Sequence, residues 1–240
     1  MSVYAALKRL VPSPVKRSVR SELRFRALSR CVTRLEKLSD EAVASVASLR
    51  ELRTTFGNEG FSGDCEFLAE VAKRASRARG TILECGSGAS TILLGILAAR
   101  HGSRVLTLEQ DVGWYRAMSR DLRRLRLQSV DLHYAPLRDF GSFEWYDIDG
   151  VDIPSKLADV ICDGPFAARG YRAGLLPVLI DRGIRFRDAL CDDGDAREAP
   201  EMLEYWAEHC GAQYELRQGT DGILAVVTPG GQAIQRSGVA

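Results

Sequence analysis

Hydrophobic and polar positions change period several times along the chain, and each change marks an element. Ile82 and Leu83 close a short apolar run that reads as a buried strand over 81–84. Glu84-Cys85-Gly86-Ser87-Gly88 is a turn of small residues. From Ser90 onward, apolar residues at 92, 93, 96, 97 and 98 read as a helix, and Arg104 to Glu109 as a second strand, which completes a βαβ unit. Asp111 caps a helix with Trp114, Met118, Leu122 and Leu125 on its inner face. Val130, Leu132 and Tyr134 alternate with other positions as a third strand. A long connection, 138–156, leads to a fourth strand at 157–162. A helix near 170–182 is kinked or restarted at Pro177. Gly183 to Leu190 reads as a fifth strand. Asp195, with Glu198 three residues on, has the form of a capping box for a helix carrying Leu203, Trp206 and Cys210, although Pro200 blurs its start. Strands at 213–217 and 222–228, joined by a short connection, form an antiparallel pair. Strands alternating with helices predict an α/β fold. The expected form is a doubly wound, mostly parallel seven-stranded sheet with helices on both faces and an antiparallel C-terminal strand.

Upstream the pattern is helical only. Apolar positions 3, 7, 10 and 11 give a short amphipathic helix, broken by Pro12-Ser13-Pro14. The helical period resumes over 18–38 at Leu28, Val32, Leu35 and Leu38. Ser39 or Asp40 caps a further helix carrying Val43, Val46, Leu49 and Phe56. Gly57 to Gly63 is a glycine-rich hinge, after which Ser62 or Asp64 caps a helix with Phe61, Cys65, Leu68 and Ala72 on one face. Three parts follow: a basic helical N-terminal appendage (1–56), a main domain (57–230) and a flexible tail (231–240).

Charge supports that division. Residues 1–53 hold twelve Lys and Arg against five Asp and Glu, net +7; with +1 for the whole chain, the remainder carries −6. Overall charge gives no signal for nucleic acid. The basic helices read as packing on the core, shaping the acceptor entrance, forming a homodimer seam or touching an anionic membrane surface. None of the six cysteines forms a Cys-x-x-Cys pair, so zinc and redox motifs are unsupported. Cys85, Cys162 and Cys191 fall at predicted strand ends and read as small buried thiols. No apolar run approaches the roughly 18–20 residues of a membrane span. No secretory segment is apparent either, so reduced thiols in a cytoplasmic protein are expected.

The turn at 84–91 is the first candidate site. A helix N-terminus offers free N–H groups and a positive dipole end, and glycine lets a ligand approach the backbone. A dinucleotide site needs Gly-x-Gly-x-x-Gly, and the third position here is Thr91. The stretch Leu83-Glu84-Cys85-Gly86-Ser87-Gly88-Ala89-Ser90-Thr91 resembles motif I of the class I (Rossmann-like) S-adenosylmethionine-dependent methyltransferases. The resemblance extends over roughly residues 61–228 and does not reach the first 56. It implies S-adenosylmethionine held by Glu84, Gly86, Ser87, Gly88, Ser90 and Thr91, with Ser62 at the methionine part. It also implies Glu109, 23 residues after Gly86, on the ribose, and adenine against the loop Ala135-Pro136-Leu137.

Asp163-Gly164-Pro165 is the second candidate site. It resembles the Asp-Gly-Pro that follows the fourth strand in one bacterial branch of that family, although the same tripeptide is ordinary turn chemistry. The branch also has Trp-Tyr-Asp upstream, here Trp145-Tyr146-Asp147, and a downstream arginine, here Arg169 or Arg172. At a strand's C-terminal end, Asp163 is placed to touch the cofactor and to act as catalytic base, with Asp192 or Asp193 second. His101, His133 and His209 are poorly placed for that role. In catechol-type, metal-dependent O-methyltransferases an Asp follows the fourth strand and an Asp-Asn pair the fifth. Asp163, Asp192 and Asp193 take similar places, which implies a divalent metal such as Mg²⁺. The resemblance implies methylation of a hydroxyl on a small molecule or glycan. Two alternatives stay open: a nicotinamide-dependent oxidoreductase on a related fold, and a non-catalytic S-adenosylmethionine-binding or assembly module.

Overall fold

The computed structural model describes residues 13–57, 63–219 and 222–230. The expected helix over 1–11, Ser62, Phe61, most of the Gly57–Gly63 hinge and the tail at 231–240 lie outside the described residues. Four helices come first: α1 (Ser13–Leu35), α2 (Asp40–Val43), α3 (Val46–Phe56) and α4 (Cys65–Arg77). The α/β part follows as β1 (Thr81–Cys85), α5 (Ala89–His101), β2 (Arg104–Glu109), α6 (Val112–Leu125) and β3 (Val130–Tyr134). Next come β4 (Leu137–Asp139), β5 (Glu144–Tyr146), β6 (Asp159–Cys162), α7 (Leu175–Asp181), β7 (Ala189–Cys191), α8 (Ala199–Cys210), β8 (Gln213–Gln218) and β9 (Ile223–Thr228).

Seven strands form one sheet in the order β3-β2-β1-β6-β7-β9-β8. Neighbours from β3 to β7 run parallel, and β9 runs antiparallel to both β7 and β8. This is the predicted architecture. Alternation along the strands divides the core. Ile82, Val105, Ile161 and Leu190 face helices α1 to α6, while Leu83, Leu106, Val160 and Ala189 face the β4–β5 hairpin, α7 and α8. The chain turns from β1 to β2 and β3 on one side and to β6 and β7 on the other, so the sheet's switch point lies between β1 and β6.

Local signals explain several boundaries. Asp111 accepts the Trp114 N–H at 2.6 Å and caps α6, and Asp64 accepts the Phe67 N–H at 2.6 Å and caps α4. Ser39 caps α2, and Ser45 opens a separate α3, so the single helix expected after residue 39 is two. Pro14 does not prevent α1 from starting at Ser13, because the first turn needs no N–H from that position. Helix α7 likewise starts at Leu175 and carries Pro177 in its first turn. The Asp195–Glu198 capping box does not form. Helix α8 starts at Ala199, with Pro200 in its first turn and no side-chain cap from Glu198. Of the expected fifth strand only 189–191 joins the ladder; Ile184 and Phe186 are buried, but 183–188 pairs only through the Lys156–Arg185 bridge. The long connection holds the β4–β5 hairpin, which the sequence pattern did not reveal.

No break in packing separates residues 21–56 from the rest. Leu28, Val32, Leu35, Leu49, Leu52 and Phe56 share one buried cluster with Leu68, Ile82, Ile92 and Leu93. Among the described residues no helix is long and apolar enough to cross a membrane.

Candidate active site at the sheet's C-terminal edge

At the switch point the turns after β1 and β6 touch. Gly86 has φ +90°, and a Cβ on it would lie 3.0 Å from the Asp163 carbonyl oxygen and 3.1 Å from Gly164 Cα. A Cβ on Gly164 would lie 2.9 Å from Gly86 Cα and 2.5 Å from Tyr146 Oη. Both glycines are thus required by a close approach, and Gly86 also by its left-handed backbone. Between these turns opens a cleft of about 840 Å³, within the range that holds a small ligand or cofactor.

One wall of the cleft comes from β1 and β2. Glu109, 6% exposed, ends β2. Its Oε2 accepts the Ser87 N–H at 3.1 Å and the Ser87 hydroxyl at 2.6 Å, and its Oε1 accepts the Asp111 N–H at 2.9 Å. Trp114 Nε1 donates to the Ser87 carbonyl at 2.8 Å. Gln110 Nε2 donates to the Phe166 carbonyl at 2.6 Å, which ties the loop after β2 to the loop after β6. Gly86, Ser87, Glu109 and Asp163 all line the cleft.

Other predicted contact residues lie elsewhere. Glu84 is fully buried beneath the turn, where Thr107 Oγ1 donates to its Oε2 at 2.8 Å. Burial pushes its carboxyl up to about 7, against the lowering effect of Ser90, Thr107 and Thr91. Its Oε1 has no hydrogen-bond partner among the described residues. Ser90 and Thr91 are buried as well, and Thr91 Oγ1 accepts the Gly88 N–H at 2.9 Å. Glu84, Ser90 and Thr91 shape the turn from behind, and neither they nor the partly exposed Gly88 line the cleft. Leu137 sits in β4 opposite Tyr146 and is also outside the lining. The physical reason for Glu84 is the place of β1: both faces of this central strand are covered, so the side chain of Glu84, on the Ile82 face, stays in the core.

The opposite wall is built around Arg172, which is 3% exposed. Its Nη1 donates to the Asp192 carbonyl at 2.5 Å and to the Cys162 carbonyl at 3.3 Å. Its Nη2 reaches Asp163 Oδ1 at 3.3 Å and Asp193 Oδ2 at 2.9 Å. Arg169 points away, to Asp139 and the Gly141 carbonyl, so Arg172 is the arginine of this site. Burial, and then the neighbouring Asp192, push the Asp163 carboxyl well above the usual carboxylate range, with Arg172 pulling it back. Burial, and then Asp193, raise Asp192 to about 7. Three non-glycine residues here have left-handed backbones: Ala167 (φ 56°), Tyr171 (φ 56°) and Asp193 (φ 53°). Such strain gathers where the surroundings fix a working geometry. Tyr146, which ends β5, also lines the cleft. Sequence reading missed the Ser87–Trp114 and Gln110–Phe166 links, which no local pattern signals.

Asp163, Asp192 and Asp193 come together, with one carboxylate oxygen of each within 4.8 Å of the others. Arg172 already pairs two of them. None of the three histidines lines the cleft: His101 Nε2 meets Asp40 at 2.7 Å, His133 lies 3.2 Å from Asp131, and His209 Nδ1 meets the Tyr205 carbonyl at 3.0 Å.

No protein-family model matches the sequence, and neither does any curated protein. Solved structures do match. The chain is similar to the methyltransferase PaMTH1 of Podospora anserina bound to SAH, with TM-score 0.56, 16% identity, and 76% of this chain covering 86% of that one. It is similar to an O-methyltransferase of Bacillus cereus in complex with SAH (TM-score 0.53, 15% identity, 79% of this chain and 96% of that one). A third similar structure is the O-methyltransferase TomG of Streptomyces achromogenes in complex with SAM (TM-score 0.52, 16% identity, 77% and 88%). The fold is that of the class I methyltransferases.

Proposed function

We propose that the chain is an S-adenosylmethionine-dependent methyltransferase, with the donor in the cleft at the sheet's C-terminal edge. The observation that carries this reading is Glu109. Its carboxylate is fixed at the strand end by Ser87 and Asp111, lines the cleft, and keeps a lone pair on Oε1 free to accept a ribose hydroxyl. The residues fit the donor: Gly86 lets the turns after β1 and β6 close up around the cleft, and the turn brings no phosphate-binding third glycine. The donor supplies an electrophilic methyl group on its sulfonium. The protein's part is to align an acceptor and take its proton. Asp163 stands across the cleft from Glu109's wall, on a buried strand end, and we assign it that role. Arg172 holds it in place as a positioning residue.

The acceptor we infer is a hydroxyl on a small molecule or glycan. The B. cereus and S. achromogenes proteins, named as O-methyltransferases, support that reading by analogy of fold alone. Mg²⁺ at Asp163, Asp192 and Asp193 belongs to the same reading. Three carboxylates against one guanidinium leave charge for a further cation. Calorimetry with S-adenosylmethionine and its demethylated product tests the donor site. A screen of acceptor pools with radiolabelled donor, with and without EDTA, tests turnover and metal together. No donor binding overturns the proposal. Turnover indifferent to EDTA removes the metal and leaves Asp163 acting with Arg172.

A further inference from the structure

Carboxylates gather at the C-terminal ends of the parallel strands, and cations at the N-terminal ends beside two carboxylates, Asp159 and Asp188. Glu109, Asp163, Asp192 and Asp193 stand at the C-terminal ends. At the N-terminal ends, Arg79 precedes β1, Arg104 opens β2, Lys156 precedes β6 and Arg187 precedes β7. Strands β2, β1, β6 and β7 are neighbours, so these cations line one edge of the sheet. The last turns of α4 reach the same edge. Between α4 and the starts of β6 and β7 lies a second cleft, of about 410 Å³. Six cationic residues line it, Lys73, Arg74, Arg77, Arg79, Lys156 and Arg187, against two acidic ones, Glu70 and Asp159. Residues outside the N-terminal segment are net negative, so this concentration runs against the charge of the domain that carries it.

Three of the cations have work in the fold. Arg74 forms the floor at 7% exposure; its Nη1 donates to Asp159 at 2.7 Å and to Asp188. Arg187 Nε donates to Asp188 at 2.6 Å, and Arg79 Nη1 to the Ala78 carbonyl at 2.8 Å, at the end of α4. The inner carboxylates are therefore occupied. The Arg74 Nε is buried and makes no hydrogen bond among the described residues, with only Glu70 near it, at 3.6 Å. Arg77 and Lys156 are exposed and form no ion pair among the described residues, and Lys73 has only Glu70, at 3.6 Å. Packing does not need these three charges. They converge on a concavity from two separate segments of the chain.

We propose that this cleft binds a small ligand bearing two or more phosphate groups, such as a pyrophosphate or a nucleoside diphosphate. Phosphate oxygens accept charge-assisted hydrogen bonds from arginine and lysine together. Convergence of the uncommitted Lys73, Arg77 and Lys156 on one concavity favours a small ligand over a nucleic-acid strand. The site is distinct from the methyl-transfer cleft: Asp159 lines one and Asp163, four residues on just after β6, lines the other, about 13 Å away at ~3.3 Å per residue.

The test is calorimetry of the full chain with pyrophosphate, inorganic phosphate, ADP and a single-stranded RNA oligomer, at low and high salt. Saturable pyrophosphate or ADP binding is expected, tighter than phosphate and weakened by salt. The Lys73→Ala/Arg77→Ala/Lys156→Ala variant should lose at least about tenfold in affinity. Its melting temperature and its binding of S-adenosylmethionine should stay as in the wild type, which separates failure here from failure of the methyltransferase reading. Lys156→Glu alone serves as a second variant if the triple one does not fold, with the same loss expected. Absence of saturable pyrophosphate and ADP binding overturns the proposal, as does equal affinity in the variants. RNA binding without pyrophosphate or ADP binding also overturns it and makes the edge a nucleic-acid surface.

Discussion

The Glu109 carboxylate holds Ser87 twice, through its backbone N–H at 3.1 Å and its hydroxyl at 2.6 Å. The end of β2 thus fixes the shape of the turn after β1. A ligand held by Glu109 is then held by a turn already in position. Glu109→Ala should weaken S-adenosylmethionine binding by roughly 1–3 kcal/mol, the scale of lost charged hydrogen bonds. Ser87→Ala removes only the hydroxyl and should cost less. Calorimetry decides: unchanged affinity in Glu109→Ala removes this residue from the donor site.

Across the cleft, Asp163 and Arg172 should respond differently to substitution. Asp163→Asn keeps the shape and loses the charge, so the fold and donor affinity should persist while turnover falls ~10²-fold or more. Arg172→Ala leaves the half-buried Asp163 without its counter-charge and the Asp192 and Cys162 carbonyls without their donor, and should cost roughly 1–3 kcal/mol of stability. Urea unfolding and initial rates on the two variants check this. Wild-type turnover by Asp163→Asn would reduce Asp163 to a turn residue.

Legibility followed periodicity. Strands β1, β2 and β3 were readable to within a residue, because runs and alternation over five or six residues carry a period. The caps at Asp111 and Asp64 were readable because one side chain does the work. The β4–β5 hairpin has three residues per strand, too few to show a period. Helix α8 misled because Asp195 and Glu198 have capping-box spacing, while Pro200 sets the true start four residues on from Asp195. Within the site, motif spacing named Gly86, Ser87, Glu109 and Asp163, which do meet at the cleft. It could not choose between Arg169 and Arg172, since residues 163–174 have no repeating structure from which to read direction. Glu84 shows the opposite case, where the motif named a ligand residue but the central place of β1, covered on both faces, keeps its side chain in the core.

The N-terminal helices should prove inseparable from the fold. Arg24 pairs with Asp121 of α6, which is 2% exposed, and donates to the Phe56 carbonyl at 3.0 Å. Phe56 packs edge-on against Trp114, ring centroids 5.9 Å apart, and Trp114 in turn holds Ser87. Leu28, Leu35, Leu49, Leu52 and Phe56 are each 0–1% exposed. At roughly 1.5–3 kcal/mol per buried side chain, their loss rivals the whole stability of an ordinary domain. Expression of residues 57–240 should therefore give insoluble or unfolded protein. A soluble fragment with a cooperative melt and wild-type donor binding would refute this.

The last prediction concerns Glu84, whose carboxyl is raised from 4.5 to about 7, chiefly by burial. The folded protein therefore keeps a proton there that the unfolded chain has already released. Stability from this group is fully present below the unfolded value near 4.5, falls as pH rises towards about 7, and is flat above. At ~1.4 kcal/mol per unit, the loss across that window is on the order of 3 kcal/mol. Glu84→Gln has the same shape and can still accept from Thr107, but it has no proton to lose. The free energy of urea unfolding, measured from about pH 5 to about pH 8, should thus diverge between the two proteins, with the variant gaining on the wild type as pH rises. Other titrating groups, including Asp163 and Asp192, are common to both and cancel in the difference. Parallel curves would mean that Glu84 is already charged in the folded state and that its burial is compensated by the hydroxyls of Ser90, Thr91 and Thr107.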